Sequence, residues 1–320
     1  MPPSTVFTDR IAAAPISWGV CEVPGWGFQL SPQRVLAEMR DLGVAATEFG
    51  PDGFLPTVPA EKAKTLADYG LRAVGGFVPI VLHDASADPV PAIEAELDSF
   101  VAAGATRLVL SADTGQIGYD SRPTLSEQQW DVLLANLDRL AEVAIERGVV
   151  ASIHPHVGTM VESTDDVNRV LAGSAIGLCL DTGHLLIGGT DPVALAARHA
   201  ARISHVHLKD VRLGLAESVQ NGDLSYTDAV RRGMYTPLGA GDIDIATIVT
   251  SLESVGYDGY YVLEQDTILT EEPEYGRGPV DDVRQSLEFI KNVPHRADSS
   301  GRQRHQSQES NGGPTNEAQN

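Results

Sequence analysis

Eight short β-rich runs recur along this chain, each followed by a longer stretch whose apolar residues return at helical spacing, and no other feature limits the fold so severely. The strand-like runs fall at 11–18, 44–49, 71–79, 107–111, 149–154, 176–181, 203–208 and 259–264. Helical patterns occupy 32–42, 60–69, 91–103, 127–147, 164–171, 192–199, 245–255 and 280–291. Ser31-Pro32, Ser126-Glu127, Ser163 and Asp191-Pro192 offer N-cap oxygens at four helix starts. Gly43, Gly70, Gly104, Gly148, Gly173 and Gly256 stand just past helices, where a left-handed residue is wanted. Strand–helix units in unbroken succession imply an α/β fold with a closed parallel sheet, a (β/α)8 TIM barrel, the alternative being a doubly wound open sheet.

Composition narrows the function classes. The chain of 320 residues carries a net charge of −21 with no basic cluster, which argues against nucleic acid as a partner. No run approaches the ~18 apolar residues of a membrane span, and the start, MPPSTVFTDR, has no targeting pattern. Cys21 and Cys179 follow no disulfide, metal or redox spacing, so a reducing, cytoplasmic setting is expected. From Pro294 onward no aliphatic branched, Met, aromatic or Cys residue occurs. The expected organisation is therefore a single barrel domain over 1–293 and a disordered tail over 294–320, with His295 and His305 as solvated bystanders. A homo-oligomer is left open.

Barrel sites lie at the carboxyl ends of the strands, and here those ends are polar. Glu48 ends the second strand, His154 and His156 the fifth, Asp181 and His184 the sixth, His205, His207 and Lys209 the seventh, and Glu264 the eighth. Alternation along a strand sends Val206 and Leu208 outward and His205, His207 and Lys209 into the mouth. It likewise turns Leu178 and Leu180 outward with Asp181 inside, and Tyr261 and Leu263 outward with Glu264 inside. His154, Asp181, His207 and Glu264 then make a set of two nitrogen and two oxygen donors suited to Mn²⁺, Co²⁺, Fe²⁺ or Zn²⁺. Any one of them alone reads better as a hydrogen-bonded rim residue; four converging do not, because buried carboxylates without partners are costly.

Other features are weighed the same way. Trp18 and Trp26 are candidates to stack on a ligand ring or to plug a Gly/Pro-rich loop, and His83 and His199 read as structural or exposed. The connection 210–241 is long for a βα loop and reads as a functional lid, its end 233–241 a tight turn feeding a helix capped by Asp242 or Asp244.

The motifs APISWGVCEVPGWG (14–27), ATEFGPDGFLP (46–56), IHPHVGT (153–159), LDTGHLLIGGTDP (180–192), HVHLKDV (205–211), PLGAGDID (237–244) and YVLEQD (261–266) resemble inosose dehydratase, within the xylose-isomerase-like superfamily of sugar isomerases and epimerases. The likeness runs from about residue 11 to 292. It implies a Mn²⁺- or Co²⁺-dependent lyase that removes water from 2-keto-myo-inositol (scyllo-inosose) in inositol catabolism, a hydro-lyase acting on a polyol or keto-sugar. It puts metal ligands at Asp181, His207 and Glu264, and a substrate-contacting histidine at His184. Where sugar epimerases commonly carry a glutamate ligand on the fifth strand this chain has His154, with His156 as the substitute ligand. The implied chemistry is an elimination through an enediolate: Glu264 as base, His156, His184 or Lys209 as acid, and Glu48, Trp18, His184 and Lys209 against the substrate. The competing readings are a keto-sugar epimerase or isomerase, a lyase acting on 3-keto-glycosides, and a non-enzymatic sugar-binding barrel.

Overall fold

A computed structural model describes residues 6–294 of the chain; the expected tail, with His295 and His305, lies outside the described residues apart from Pro294. The strands are β1 (Ile11–Ala13), β2 (Ala46–Thr47), β3 (Arg72–Ala73), β4 (Gly75–Ile80), β5 (Arg107–Ala112), β6 (Val150–Ile153), β7 (Gly177–Asp181), β8 (Ile203–Leu208), β9 (Asp210–Val211), β10 (Tyr235–Thr236) and β11 (Tyr261–Leu263). The helices are α1 (Pro32–Asp41), α2 (Pro59–Asp68), α3 (Val90–Ala103), α4 (Glu127–Glu146), α5 (Thr164–Gly173), α6 (Thr182–Ile187), α7 (Pro192–His199), α8 (Leu213–Gln220), α9 (Tyr226–Arg231), α10 (Ile245–Ser254) and α11 (Pro279–Asn292).

One parallel sheet runs in the order β3-β2-β1-β11-β8-β7-β6-β5-β4. Its two end segments are consecutive pieces of one strand broken at Val74, so the sheet closes on itself as an eight-stranded barrel. At the break, the Val74 amide donates to Thr47 O on one side at 2.9 Å, while its carbonyl accepts from Thr106 and Arg107 on the other at 3.0 and 3.1 Å. Gly75 permits this, since a Cβ there would stand 1.8 Å from the Arg107 carbonyl oxygen. β1 is shorter than its β-rich run: Pro15–Trp18 form a 3-10 turn after Ala14, because Pro15 has no amide to give the ladder.

Ser31, Ser126, Ser163 and Asp191 all cap as expected, Ser126 and Ser163 through reciprocal capping boxes with Gln129 and Asp166. Gly43, Gly70, Gly104, Gly148 and Gly256 are left-handed. Gly173 departs from that expectation: it lies inside α5, with Leu134 packed where a side chain would go. The long connection after β8 holds the β9–β10 antiparallel hairpin and helices α8 and α9. Its tight turn wraps the Asp210 carboxylate, which accepts from the amides of Gly239, Gly241 and Ile243. Of the two candidate caps, Asp244 caps α10 and Asp242 accepts from the Leu213 amide.

Ala12, Ala14, Ala46, Val74, Tyr260 and Val262 make a small inner core, and the larger one lies between sheet and helices. At the amino end of the barrel, buried Arg10 grips both oxygens of Glu253 at 2.8 and 2.7 Å and also donates to the carbonyls of Tyr257 and Gly259. Both cores and this ion pair leave the carboxyl mouth to polar groups.

Candidate active site

With β3 and β4 counted as one strand, the fifth to eighth strands are β6, β7, β8 and β11. Their carboxyl ends, with those of β1 and β2, surround a cavity of about 630 Å³, its open mouth included. Glu48, His154, His156, His207, Lys209 and Glu264 line it, joined by Trp26, Phe77, Tyr119 and Asp266.

Asp181 ends β7 and caps α6, and these two duties divide its oxygens. Oδ1 accepts from the His184 amide at 2.8 Å, whereas Oδ2 accepts from His154 Nε2 at 3.1 Å and lies 3.6 Å from His207 Nδ1. His207 Nδ1 is buried without a hydrogen-bond partner and sits 3.3 Å from Glu264 Oε2. Ligand atoms of Asp181, His207 and Glu264 all lie within 4.8 Å of one another, so three of the four expected ligands form a seat for a divalent cation. An orphaned imidazole nitrogen between two carboxylates is the arrangement a cation completes. His154 joins through Asp181. Cys179, for which the sequence shows no metal spacing, brings its thiol within the same distance of His154 and His207 ligand atoms, since it lies two residues before Asp181 on the same inner face of β7.

The other ring nitrogen of His207 explains Glu48. His205 Nε2 and His207 Nε2 donate to Glu48 Oε1 at 2.7 and 3.0 Å. Glu48 therefore holds histidines from across the barrel as well as facing the cavity. Burial works against its charge, but His207 and His205 hold its carboxyl well below the ordinary range. Burial takes His205 down to about 4. It opposes a charge on His207 as well, but Cys179, Glu264 and Glu48 more than offset it and raise the imidazole. Glu264 is pushed up to about 7 by burial, against the pull of His207 and Lys209.

Lys209 is buried, and its Nζ donates to Asp266 Oδ1 at 2.5 Å and His184 Nε2 at 3.0 Å. Desolvation disfavours its charge, yet Asp266, Asp181 and Glu264 hold the ammonium well above its usual range. His184 is kept neutral by burial, with Nδ1 3.4 Å from the Val157 amide. His156 stacks on His184 with centroids 3.7 Å apart and donates from Nδ1 to the Val157 carbonyl at 2.7 Å. That bond fixes the tautomer and leaves Nε2 with a lone pair; among the described residues His156 is not one of those whose ligand atoms cluster within 4.8 Å, whereas His154 and His207 are. Burial holds its pKa well below the ordinary histidine value.

Trp18 does not reach the cavity. The 3-10 turn directs its indole behind the barrel, wholly buried, where Nε1 donates to Glu38 Oε2 at 2.9 Å. Trp26 lines the cavity in its place. His83 and His199 do not line it. Sequence reasoning did not assign Asp266, Tyr119, Tyr226 or Tyr235. Tyr119 lies 4.3 Å from His156 by ring centroids and donates to Glu22 across the mouth. The supposed lid contributes packed residues: Tyr226 donates to Asp266 and stands 3.1 Å, oxygen to oxygen, from Tyr235.

Comparison with known proteins bears on what such a mouth belongs to. A family model described as xylose isomerase-like TIM barrel matches residues 36–293. The chain belongs to the xylose isomerase-like TIM barrel family. Within the family it is similar to the rhizopine catabolism protein MocC of Rhizobium meliloti, 37% identical over 273 residues that cover 82% of this chain and 83% of that one. It is also similar to the inosose dehydratase of Geobacillus kaustophilus, 34% identical over 280 residues covering 82% and 89%. Further inosose dehydratases match over most of their length, and these relatives make the chain an enzyme of the hydro-lyase class. Among solved structures, the IOLI protein with a binding zinc atom superposes with a TM-score of 0.64 at 13% identity, covering 89% of this chain and 97% of that one, which speaks to the fold. Among the described residues no helix is long and apolar enough to cross a membrane.

Proposed function

We propose that this chain dehydrates 2-keto-myo-inositol (scyllo-inosose) or a close keto-cyclitol in inositol breakdown, within one catalytic domain spanning 1–293 and in the cytoplasm. The observation that carries the reading is the pairing, at one cavity, of a neutral imidazole with a free lone pair at His156 and an ammonium at Lys209. Elimination of water needs one group to take a proton from carbon and one to give a proton to the departing hydroxyl. The curated inosose dehydratase relatives support elimination over epimerisation.

Asp181, His207 and Glu264, with His154 beside them, would hold a divalent metal, Mn²⁺ or Co²⁺ in this proposal. When bound, such an ion supplies Lewis acidity toward a carbonyl and a neighbouring hydroxyl. The residues do the rest. His156 Nε2 accepts the α-proton in place of Glu264, which serves the metal seat and faces His207 at 3.3 Å. Lys209 donates to the β-hydroxyl, with His184 Nε2 at 3.0 Å as its neighbour. Glu48 and Trp26 flank the ring, and Phe77 and Tyr119 exclude water on the His156 side. The test is incubation of metal-loaded enzyme with scyllo-inosose in D₂O, with products read by mass spectrometry. A product lighter by one water supports the reading; deuterated stereoisomers of unchanged carbon–oxygen composition would overturn it in favour of an epimerase.

A further inference from the structure

Lys209 sits where two demands conflict. Its Nζ lies 3.2 Å from Glu264 Oε2 and 3.6 Å from Asp181 Oδ2, and those same carboxylates form the candidate metal seat. A buried ammonium without a partner is costly, so Lys209 must lean on a carboxylate. Were Glu264 and Asp181 its sole choices, it would occupy the oxygens a divalent cation needs. Asp266 offers a third choice: it is 7% exposed, and its Oδ1 is the nearest acceptor to Lys209 at 2.5 Å. Its other oxygen accepts from Tyr226, itself beside Tyr235, so the carboxylate is pinned from behind and cannot turn away.

We infer that Asp266 is a positioning residue that draws the Lys209 ammonium off the metal ligands, keeping Glu264 and Asp181 free for a divalent cation and Lys209 fixed at the cavity edge. The inference rests on the proposed metal seat and is independent of whether the reaction is dehydration or epimerisation. Without Asp266, Lys209 keeps the uncharged His184 Nε2 at 3.0 Å, and its charge turns to the remaining carboxylates, Glu264 at 3.2 Å and Asp181 at 3.6 Å, so that ammonium and metal compete for the same oxygens.

The experiment is a double-mutant cycle on metal affinity. Wild type, Asp266→Asn, Lys209→Met and the double variant are stripped of metal, checked for fold by circular dichroism, and titrated calorimetrically with Mn²⁺ alone. Asp266→Asn is expected to weaken Mn²⁺ binding by about tenfold or more in the wild-type background and by less than about threefold in the Lys209→Met background. A merely structural role, or the plain loss of a nearby negative charge, would cost the same in both backgrounds, and that result overturns the inference. So does full Mn²⁺ affinity in Asp266→Asn. Should Asp266→Asn fail to fold, Tyr226→Phe keeps every charge and only loosens Asp266. It should lower Mn²⁺ affinity about two- to threefold with Lys209 present and not with Lys209→Met, and equal effects in the two backgrounds refute the idea. A wild-type protein that takes up no Mn²⁺ sinks the metal seat and this inference together, whereas Mn²⁺ binding with background-independent losses sinks this inference alone.

Discussion

Replacing Glu48 by Gln separates two roles that the structure puts on one side chain. The sequence suggests a grip on a substrate hydroxyl; the geometry adds a carboxylate that accepts from His207 Nε2 at 3.0 Å and His205 Nε2 at 2.7 Å, leaving His207 Nδ1 to face Asp181 and Glu264. Gln keeps the size and one acceptor oxygen but removes the charge. Two charge-assisted hydrogen bonds become neutral ones, each weaker by about 1 kcal/mol. Of the two, the bond to His207 bears directly on a metal, and loss of the carboxylate also makes the imidazole a poorer ligand. Together these terms come to about 1–2 kcal/mol, or about 5- to 30-fold in Mn²⁺ affinity. Calorimetric titration of metal-free wild type and Glu48→Gln with Mn²⁺ measures it, with melting temperatures to confirm the fold. Unchanged Mn²⁺ affinity accompanied by a raised KM would refute the reasoning and return Glu48 to substrate binding alone.

Asp181→Asn and Glu264→Gln each remove a charged oxygen from the seat and should each leave the purified protein depleted of metal by elemental analysis; full occupancy in both would take them out of the site. Gly158→Ala acts at a distance from the metal: Gly158 is left-handed, and a Cβ there would fall 2.3 Å from the Tyr119 carbonyl oxygen. The Tyr119 segment must then shift from its tilted ring contact with His156, so KM should rise by about tenfold or more while Mn²⁺ affinity stays at the wild-type level. An unchanged KM would show that the Tyr119 segment does not shape the cavity.

Most of the mouth was legible because a strand repeats every two residues. Alternation alone puts His205, His207 and Lys209 on the inner face, and the same rule applied one step further along YVLEQD puts Asp266 beside Glu264. Asp266 could have been found that way. Trp18 stands in the SWGVCEVPGWG segment as a candidate either for ring stacking or for a loop plug, and the 3-10 turn that Pro15 starts after Ala14 carries its indole away from the cavity to Glu38. Tyr119 lines the cavity from a connection with no period, and Tyr226 opens the short helix α9 within the long connection after β8; what brings these segments together is packing between parts remote in sequence, such as the Thr227 amide donating to Asp120 at 2.9 Å. No local pattern encodes that.

Glu48 shows why roles are harder to read than positions. Its place at the end of a strand follows from sequence, but its partners are 157 and 159 residues away across the barrel, on the inner face of β8. Whether such a carboxylate meets a substrate, a metal or another side chain depends on which strands the closed barrel, its radius fixed by strand number and shear, brings face to face above the inner core of Ala12, Ala14, Ala46, Val74, Tyr260 and Val262. Across this interior Glu48 reaches His205 and His207 directly. Once His207 Nε2 is engaged there, Nδ1 is the nitrogen left for Asp181 and Glu264, and Asp266 in turn draws Lys209 aside to leave those carboxylates free. The charge arrangement of the site thus follows from which inner-face side chains of separate strands come within reach of one another, and a strand-end position alone does not disclose that.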